Sequence, residues 1–139
     1  MSLPVYIAGG SSEIELCRSM IDAVSRYAHV TFDWTRVGEW SLGRPLTMRE
    51  REELAARDLA AVAEARLFRL LLSREKSEGA ATELGAALVL RAFALALGRV
   101  PIEVIVSGPM LDSRLFPARA DRIFAGHGEA LAYVVGRCQ

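Results

Sequence analysis

Apolar and polar positions along the chain change period several times, and each change marks an element. Val5-Tyr6-Ile7-Ala8 is an unbroken apolar run that stops at Gly9-Gly10-Ser11-Ser12, the pattern of a buried strand turning sharply into a helix. Ile14, Cys17, Met20, Ile21 and Val24 then recur at helical spacing, so a helix over about residues 13–27 should lay one face on a sheet, with Ser12 and Glu15 as its capping box. His29-Val30-Thr31-Phe32 predicts a second strand. Residues 36–46 carry Gly38, Gly43 and Pro45 beside Trp40, which predicts an irregular loop able to fold over a pocket. Thr47 and Glu50 repeat the capping pattern, and Leu54, Ala55, Leu59, Val62 and Ala65 continue a helical arc with Asp58 inside it. Residues 67–72 predict a third strand, 102–106 a fourth and 122–124 a short fifth, with a closing helix over 129–135 and His127 as a surface residue near its start. The loop of residues 108–117 carries no readable role.

Strands alternating with helices through short connections imply a parallel sheet covered on both faces. The expected fold is a single α/β domain over residues 1–139, a three-layer sandwich with a flavodoxin-like sheet of about five strands. Ligands would gather beyond the carboxyl ends of the strands, where Tyr6, Gly9, Trp34, Ser77, Glu83 and Ser107 all fall. Trp34 either stacks a flat ligand or covers the core.

The stretch Ser77-Glu78-Gly79-Ala80-Ala81-Thr82-Glu83-Leu84-Gly85-Ala86 leaves the third strand and opens a helix whose only charges from Ala80 to Leu97 are Glu83 and Arg91. Such a helix needs cover on more than one side. Glu83 enters that burial, and an ionised carboxylate away from water costs several kcal/mol unless it is hydrogen-bonded or meets positive potential. Asp58 poses the same problem, since Leu54 and Val62 flank it while Glu53, Arg57 and Glu64 face the solvated side. It either bonds a neighbouring helix start or serves a site.

Composition narrows the chemistry. The 139 residues are 52% hydrophobic, enough for one core, and seventeen basic residues balance seventeen acidic ones, which gives no electrostatic footprint for nucleic acid or an anionic membrane. Arg91 interrupts the longest apolar segment and no basic leader opens the chain, so a cytoplasmic protein with no membrane association is expected. Cys17, Cys138, His29 and His127 are too few and too scattered for a disulfide framework or a zinc site, and no metal or cofactor is expected.

Ser-x-Gly-x-x-x-Glu-Leu-Gly-x-Ala after an apolar strand, with Tyr6 on the opening strand, the Gly turn and an Asp on the second long helix, resembles the nucleoside 2-deoxyribosyltransferase superfamily, which includes 2'-deoxynucleoside 5'-phosphate N-hydrolases. The resemblance runs along most of the chain. It implies an N-glycosidic bond enzyme, hydrolase or transferase, acting on a nucleoside or nucleotide, with Glu83 as nucleophile, Asp58 as partner and Tyr6 orienting Glu83 or the sugar. It implies Gly9, Gly10, Ser11, Ser12, Trp34, Ser77 and Gly79 around the substrate, although Ser77 could equally cap its helix. The chain departs from the pattern at Arg66, where an Asp commonly stands, and at Ser12, where the nucleotide hydrolases have Arg. From that second departure a free nucleoside is expected to serve at least as well as its 5'-monophosphate. A functional Asp58 is expected to need a helix break near residues 55–57, because an unbroken helix from Thr47 puts it ~16 Å from the helix start. The alternative function is a catalytically silent nucleoside or nucleotide sensor. A homodimer or higher homo-oligomer is expected from the apolar surface of the Glu83 helix.

Overall fold

A computed structural model describes residues 2–109 and 114–139. Five strands, β1 (Pro4–Ala8), β2 (His29–Val30), β3 (Leu67–Leu71), β4 (Glu103–Ser107) and β5 (Arg122–Phe124), form one parallel sheet in the order β2-β1-β3-β4-β5. Helices α1 (Ile14–Ser25) and α5 (His127–Cys138) cover one face, and α3 (Met48–Glu64) and α4 (Glu78–Ala96) cover the other. A short α2 (Glu39–Leu42) lies between β2 and α3. This is the three-layer, flavodoxin-like α/β sandwich expected from the alternation of patterns. Strand order reverses between β1 and β3, which opens a crevice at their carboxyl ends.

The central strands are apolar on both sides because both sides are covered. Val5, Ile7, Leu67, Phe68, Val104, Ile105 and Val106 are fully buried. Register aligns Tyr6 with Phe68, and their rings stack 6.0 Å apart on the α3/α4 face. Ile7, Arg69 and Ile105 align on the α1/α5 face.

Local chemistry explains the element ends. α3 carries the predicted capping box: Glu50 N donates to Thr47 Oγ1 at 3.1 Å and Thr47 N to Glu50 Oε1 at 2.9 Å. The Ser12–Glu15 box is not made. A 3-10 turn over Ser11–Glu13 precedes α1 instead, closed by Glu13 N donating to Gly10 O at 3.1 Å, so the backbone itself satisfies the turn. Residues 36–46 are less irregular than expected, since Gly38 at φ 107° opens α2 and Gly43 at φ 70° ends it. α5 begins at His127, two residues early, and His127 is half-buried rather than on the surface. Of the 108–117 loop, residues 110–113 lie outside the described residues, and Phe116–Arg119 form a 3-10 turn.

Among the described residues α4 is the one helix long and apolar enough to cross a membrane by length and composition. Its inner face, Ala80, Glu83, Leu84 and Ala87, is buried within the sandwich, while Val89, Phe93, Leu95 and Leu97 are exposed.

Gly108 joins β4 to the carboxyl edge at φ 110°, and a Cβ there would stand 2.5 Å from the Leu72 carbonyl oxygen and 2.9 Å from His127 Cε1. Both the backbone conformation and the space exclude a side chain. Gly108→Ala is therefore expected to destabilise the fold by roughly 2 kcal/mol or more in denaturant titrations. An unchanged midpoint would contradict this account of the β4 exit.

Candidate active site

α4 starts where Ser77 leaves the extended backbone, and Ser77 Oγ accepts a hydrogen bond from Ala80 N at 3.2 Å, capping the helix. Gly79 and Ala80 follow in its first turn. One turn further on, Glu83 turns inward between α4 and the sheet and is only 7% exposed. The fully buried Tyr6 hydroxyl donates to Glu83 Oε2. Burial pushes the Glu83 carboxyl up to about 8; the Tyr6 hydrogen bond pulls it down, and the charge of Asp58 pushes it up again. Asp58 is half-buried and raised to about 6, mainly by burial, with Arg57 opposing. Tyr6 is held far above the ordinary phenol range, first by burial and then by Glu83 and Asp58. The Asp58 charge acts on both Tyr6 and Glu83, so it lies near their hydrogen bond, and Asp58 Oδ1 is buried with no hydrogen-bond partner among the described residues.

Asp58 reaches this cluster without the expected break, because α3 is continuous from Met48 to Glu64. At 17 residues it is ~25 Å long against ~17 Å for a five-residue strand, so its first turns project past the sheet. Height is better counted from the other end. Asp58 lies six residues before Glu64, ~9 Å above the base of the sheet, close to the level of Tyr6 in the middle of β1.

The remaining predicted residues divide. Gly10 and Ser77 meet at the carboxyl edge, a Cβ on Gly10 falling 3.3 Å from Ser77 Cβ, and both line a cavity of about 300 Å³ walled by Leu70, Leu84 and Phe116. Gly9 is buried beneath them, where its lack of a side chain admits Cys17 Sγ, 2.4 Å from where a Cβ would be. Ser11 and Ser12 are exposed, and Ser12 lines a different cavity on the α1/α5 side. Trp34 is 7% exposed, its indole N–H donates to Ile7 O at 2.8 Å, and its ring meets Trp40 edge-on. The ring covers the core at the end of β1.

Two arginines escaped the sequence reading. Arg114 lines the 300 Å³ cavity with Lys76 and donates to the carbonyls of Ser73 and Glu75. Its signal was position, a cation in a loop that returns to the carboxyl edge. Arg69 is fully buried in the middle of β3; its signal was a single charge within an otherwise apolar run.

No family model matches the chain, and no curated protein matches it. Twelve chains among solved structures match, including the Clostridium botulinum CMP N-glycosidase BcmB, with a TM-score of 0.50 and 16% identity over 94% of this chain and 97% of that one. At this identity the likeness shows a shared fold along the whole domain.

Because Glu83 titrates higher when folded than its ordinary value of 4.5, the folded state holds an extra proton between about pH 4.5 and 8. Its contribution is complete below that window and is lost as pH rises through about 8. Glu83→Gln, which cannot ionise, should leave stability near wild type at pH 5 and raise it by on the order of 1–3 kcal/mol at pH 9. Thermal melts across that range check this, and a variant less stable than wild type at pH 9 would contradict it.

Proposed function

We propose that the protein cleaves or transfers the N-glycosidic bond of a nucleoside or nucleotide, with Glu83 as nucleophile. The observation that carries this reading is the buried Tyr6–Glu83 hydrogen bond with Asp58 in the same cluster. Burial raises both carboxyls, Asp58 to about 6 and Glu83 to about 8, so near neutral pH Glu83 holds a proton and Asp58 does not. Passing that proton from Glu83 to Asp58 leaves the net charge unchanged while creating a nucleophile and an acid. The Glu83 carboxylate attacks the anomeric carbon, the C–N bond breaks with its electron pair on the base nitrogen, and Asp58 delivers the proton that nitrogen needs. Tyr6 holds Oε2 and so directs Oε1 to the sugar. Water resolving the glycosyl-enzyme makes a hydrolase, and a second base makes a transferase, the two-step logic of retaining glycosidases. The fold shared with a CMP N-glycosidase is compatible with this chemistry.

The 300 Å³ cavity between the start of α4 and the Phe116 turn is the substrate entrance in this reading; Leu84, next to Glu83, lines it but Glu83, Tyr6 and Asp58 do not, and Lys76, Arg114 and Glu75 stand among its apolar walls. Ser12 is not part of it, but Arg114 and Lys76 are. The expectation that a free nucleoside serves at least as well as its 5'-monophosphate rested on the missing Arg at Ser12. With Lys76 and Arg114 against Glu75, the cavity carries one net positive charge beside the helix start, which favours the monophosphate in this reading.

Base release followed by chromatography on mixed deoxynucleosides and their 5'-monophosphates tests the reading. Wild type should release base, with monophosphates preferred. Glu83→Gln should lose about a thousandfold or more, and Asp58→Asn about a hundredfold. The singly protonated pair predicts a bell-shaped kcat/KM with limbs near the two carboxyl pKa values, about 6 and about 8. A rate that keeps rising well above the upper limb would remove Asp58 as proton carrier, and near-normal Glu83→Gln rates would remove Glu83 as nucleophile. Binding without base release would leave a silent sensor.

We further propose a homodimer through the outer face of α4, where Val89, Phe93 and Leu97, with Val100 just beyond, are 54–69% exposed. Light scattering at micromolar concentration should give twice the chain mass, and Phe93→Glu should shift it to the monomer. A monomeric wild type would refute the assembly.

A further inference from the structure

Glu83 and Arg91 are the two charges between Ala80 and Leu97 in α4, and only Glu83 enters the chemistry proposed above. Arg91 is nonetheless sheltered, its side chain 11% exposed. Its guanidinium meets the chain returning from the Phe116 turn: Nη2 donates to Arg119 O at 2.5 Å, and Nη1 stands 2.9 Å from Asp121 Oδ2 as an ion pair without hydrogen-bond alignment. Asp121 is itself laced to the sheet, since Oδ2 accepts from Val104 N at 2.7 Å and its own N–H donates to Val104 O at 2.8 Å. Arg91 thereby ties α4, the end of the Phe116 turn and β4 at one point. Arg114 ties the other end of the turn to the carbonyls of Ser73 and Glu75.

Stability alone does not account for Arg91. A sheltered guanidinium gives up water that an ion pair only partly replaces, and both its partners are open enough to be served by water instead, Asp121 at 42% side-chain exposure and Arg119 in an exposed turn. What the tie fixes is the stretch between the two arginines, where Phe116 and the buried Pro117 form one wall of the 300 Å³ cavity. Phe116 is 63% exposed, an apolar ring held in water rather than folded into the core. Trp34 is turned inward, so Phe116 is the aromatic side chain that lines this cavity among the described residues.

We infer that Phe116 is the aromatic contact for the substrate's base, and that Arg91 is a positioning residue that holds the Phe116 turn in place against α4. The inference rests on the reading of this cavity as the substrate entrance. A planar base gains by stacking on an aromatic ring, and a ring fixed beforehand gives up little freedom in binding it.

Titration calorimetry of the four common deoxynucleoside 5'-monophosphates into the full chain carrying Glu83→Gln, which reads binding without turnover, tests this. Arg91→Met and Phe116→Ala should each weaken the tightest of them about tenfold, and the two together no more than either alone, because both act through one wall. Arg91→Lys should restore part of the loss, and Arg91→Met should melt within a few degrees of its parent. With Glu83 intact, Arg91→Met should raise KM about tenfold and keep kcat within about twofold. Unchanged binding in Arg91→Met, losses that multiply in the double variant, a fall in kcat at constant KM, or no binding of any of the four to the parent would each overturn the inference. Tenfold weaker binding in Arg91→Met, beside a wild type that releases no base, would support the wall and remove the Glu83 chemistry.

Discussion

The interaction on which the rest of the structure depends is the hydrogen bond from the Tyr6 hydroxyl to the Glu83 carboxyl, made out of reach of water. Tyr6 is held by a central strand and stacked on Phe68, and Glu83 is held in the second turn of α4. Neither can move without unpacking the sheet. A carboxyl in that position is expensive when ionised, and its pKa rises accordingly; the Tyr6 hydroxyl offsets part of that cost, and Asp58 adds to it. The arrangement lowers stability above neutral pH and concentrates it on one acidic group. A carboxyl so perturbed makes Glu83 a candidate for function rather than for core packing.

Backbone geometry supplies the frame for this pair. Gly9 lets Cys17 pack on the β1 exit, Gly10 lets the start of α4 approach that exit, and Ser77 caps the helix there. The strand reversal between β1 and β3 leaves the space above them open. The small residues of the Gly turn and of the α4 start thus serve one end, close approach between two backbone segments at the edge of a crevice.

Much of this was legible in the sequence because it depends on local periods. The alternation of apolar strands and amphipathic helices carried the fold class, and the isolated Glu83 in an apolar helix pointed to the carboxyl that the structure buries. The misreadings share a cause in three-dimensional length. The height of Asp58 was judged from the start of α3, although an overlong helix is anchored to the sheet at its other end. The Ser12–Glu15 box fits the capping pattern, yet a 3-10 turn at Ser11–Glu13 satisfied the backbone first. Arg114 could not be placed by periodicity, because its position depends on how the chain returns after β4. Nor could the pattern around residue 34 decide whether its indole faced a ligand or the core; the Ile7 carbonyl turns it inward.

The two faces of the sheet carry mirror versions of one electrostatic problem. Glu83 and Arg69 are both buried charges of opposite sign, yet an apolar sheet stands between them and neither neutralises the other. Each is driven toward its uncharged form, Glu83 up to about 8 and Arg69 down to about 10, with burial as the leading cause in both. The outcomes differ because the groups differ. A carboxyl whose pKa is raised to near neutrality can exchange its proton within the working range and so do chemistry. A guanidinium at about 10 stays charged, and it can act only through fixed donation to Ser107 and the His127 carbonyl. The face that holds Glu83 and Asp58 thus carries groups able to exchange protons near neutral pH, whereas the face that holds the guanidinium carries only a fixed donor.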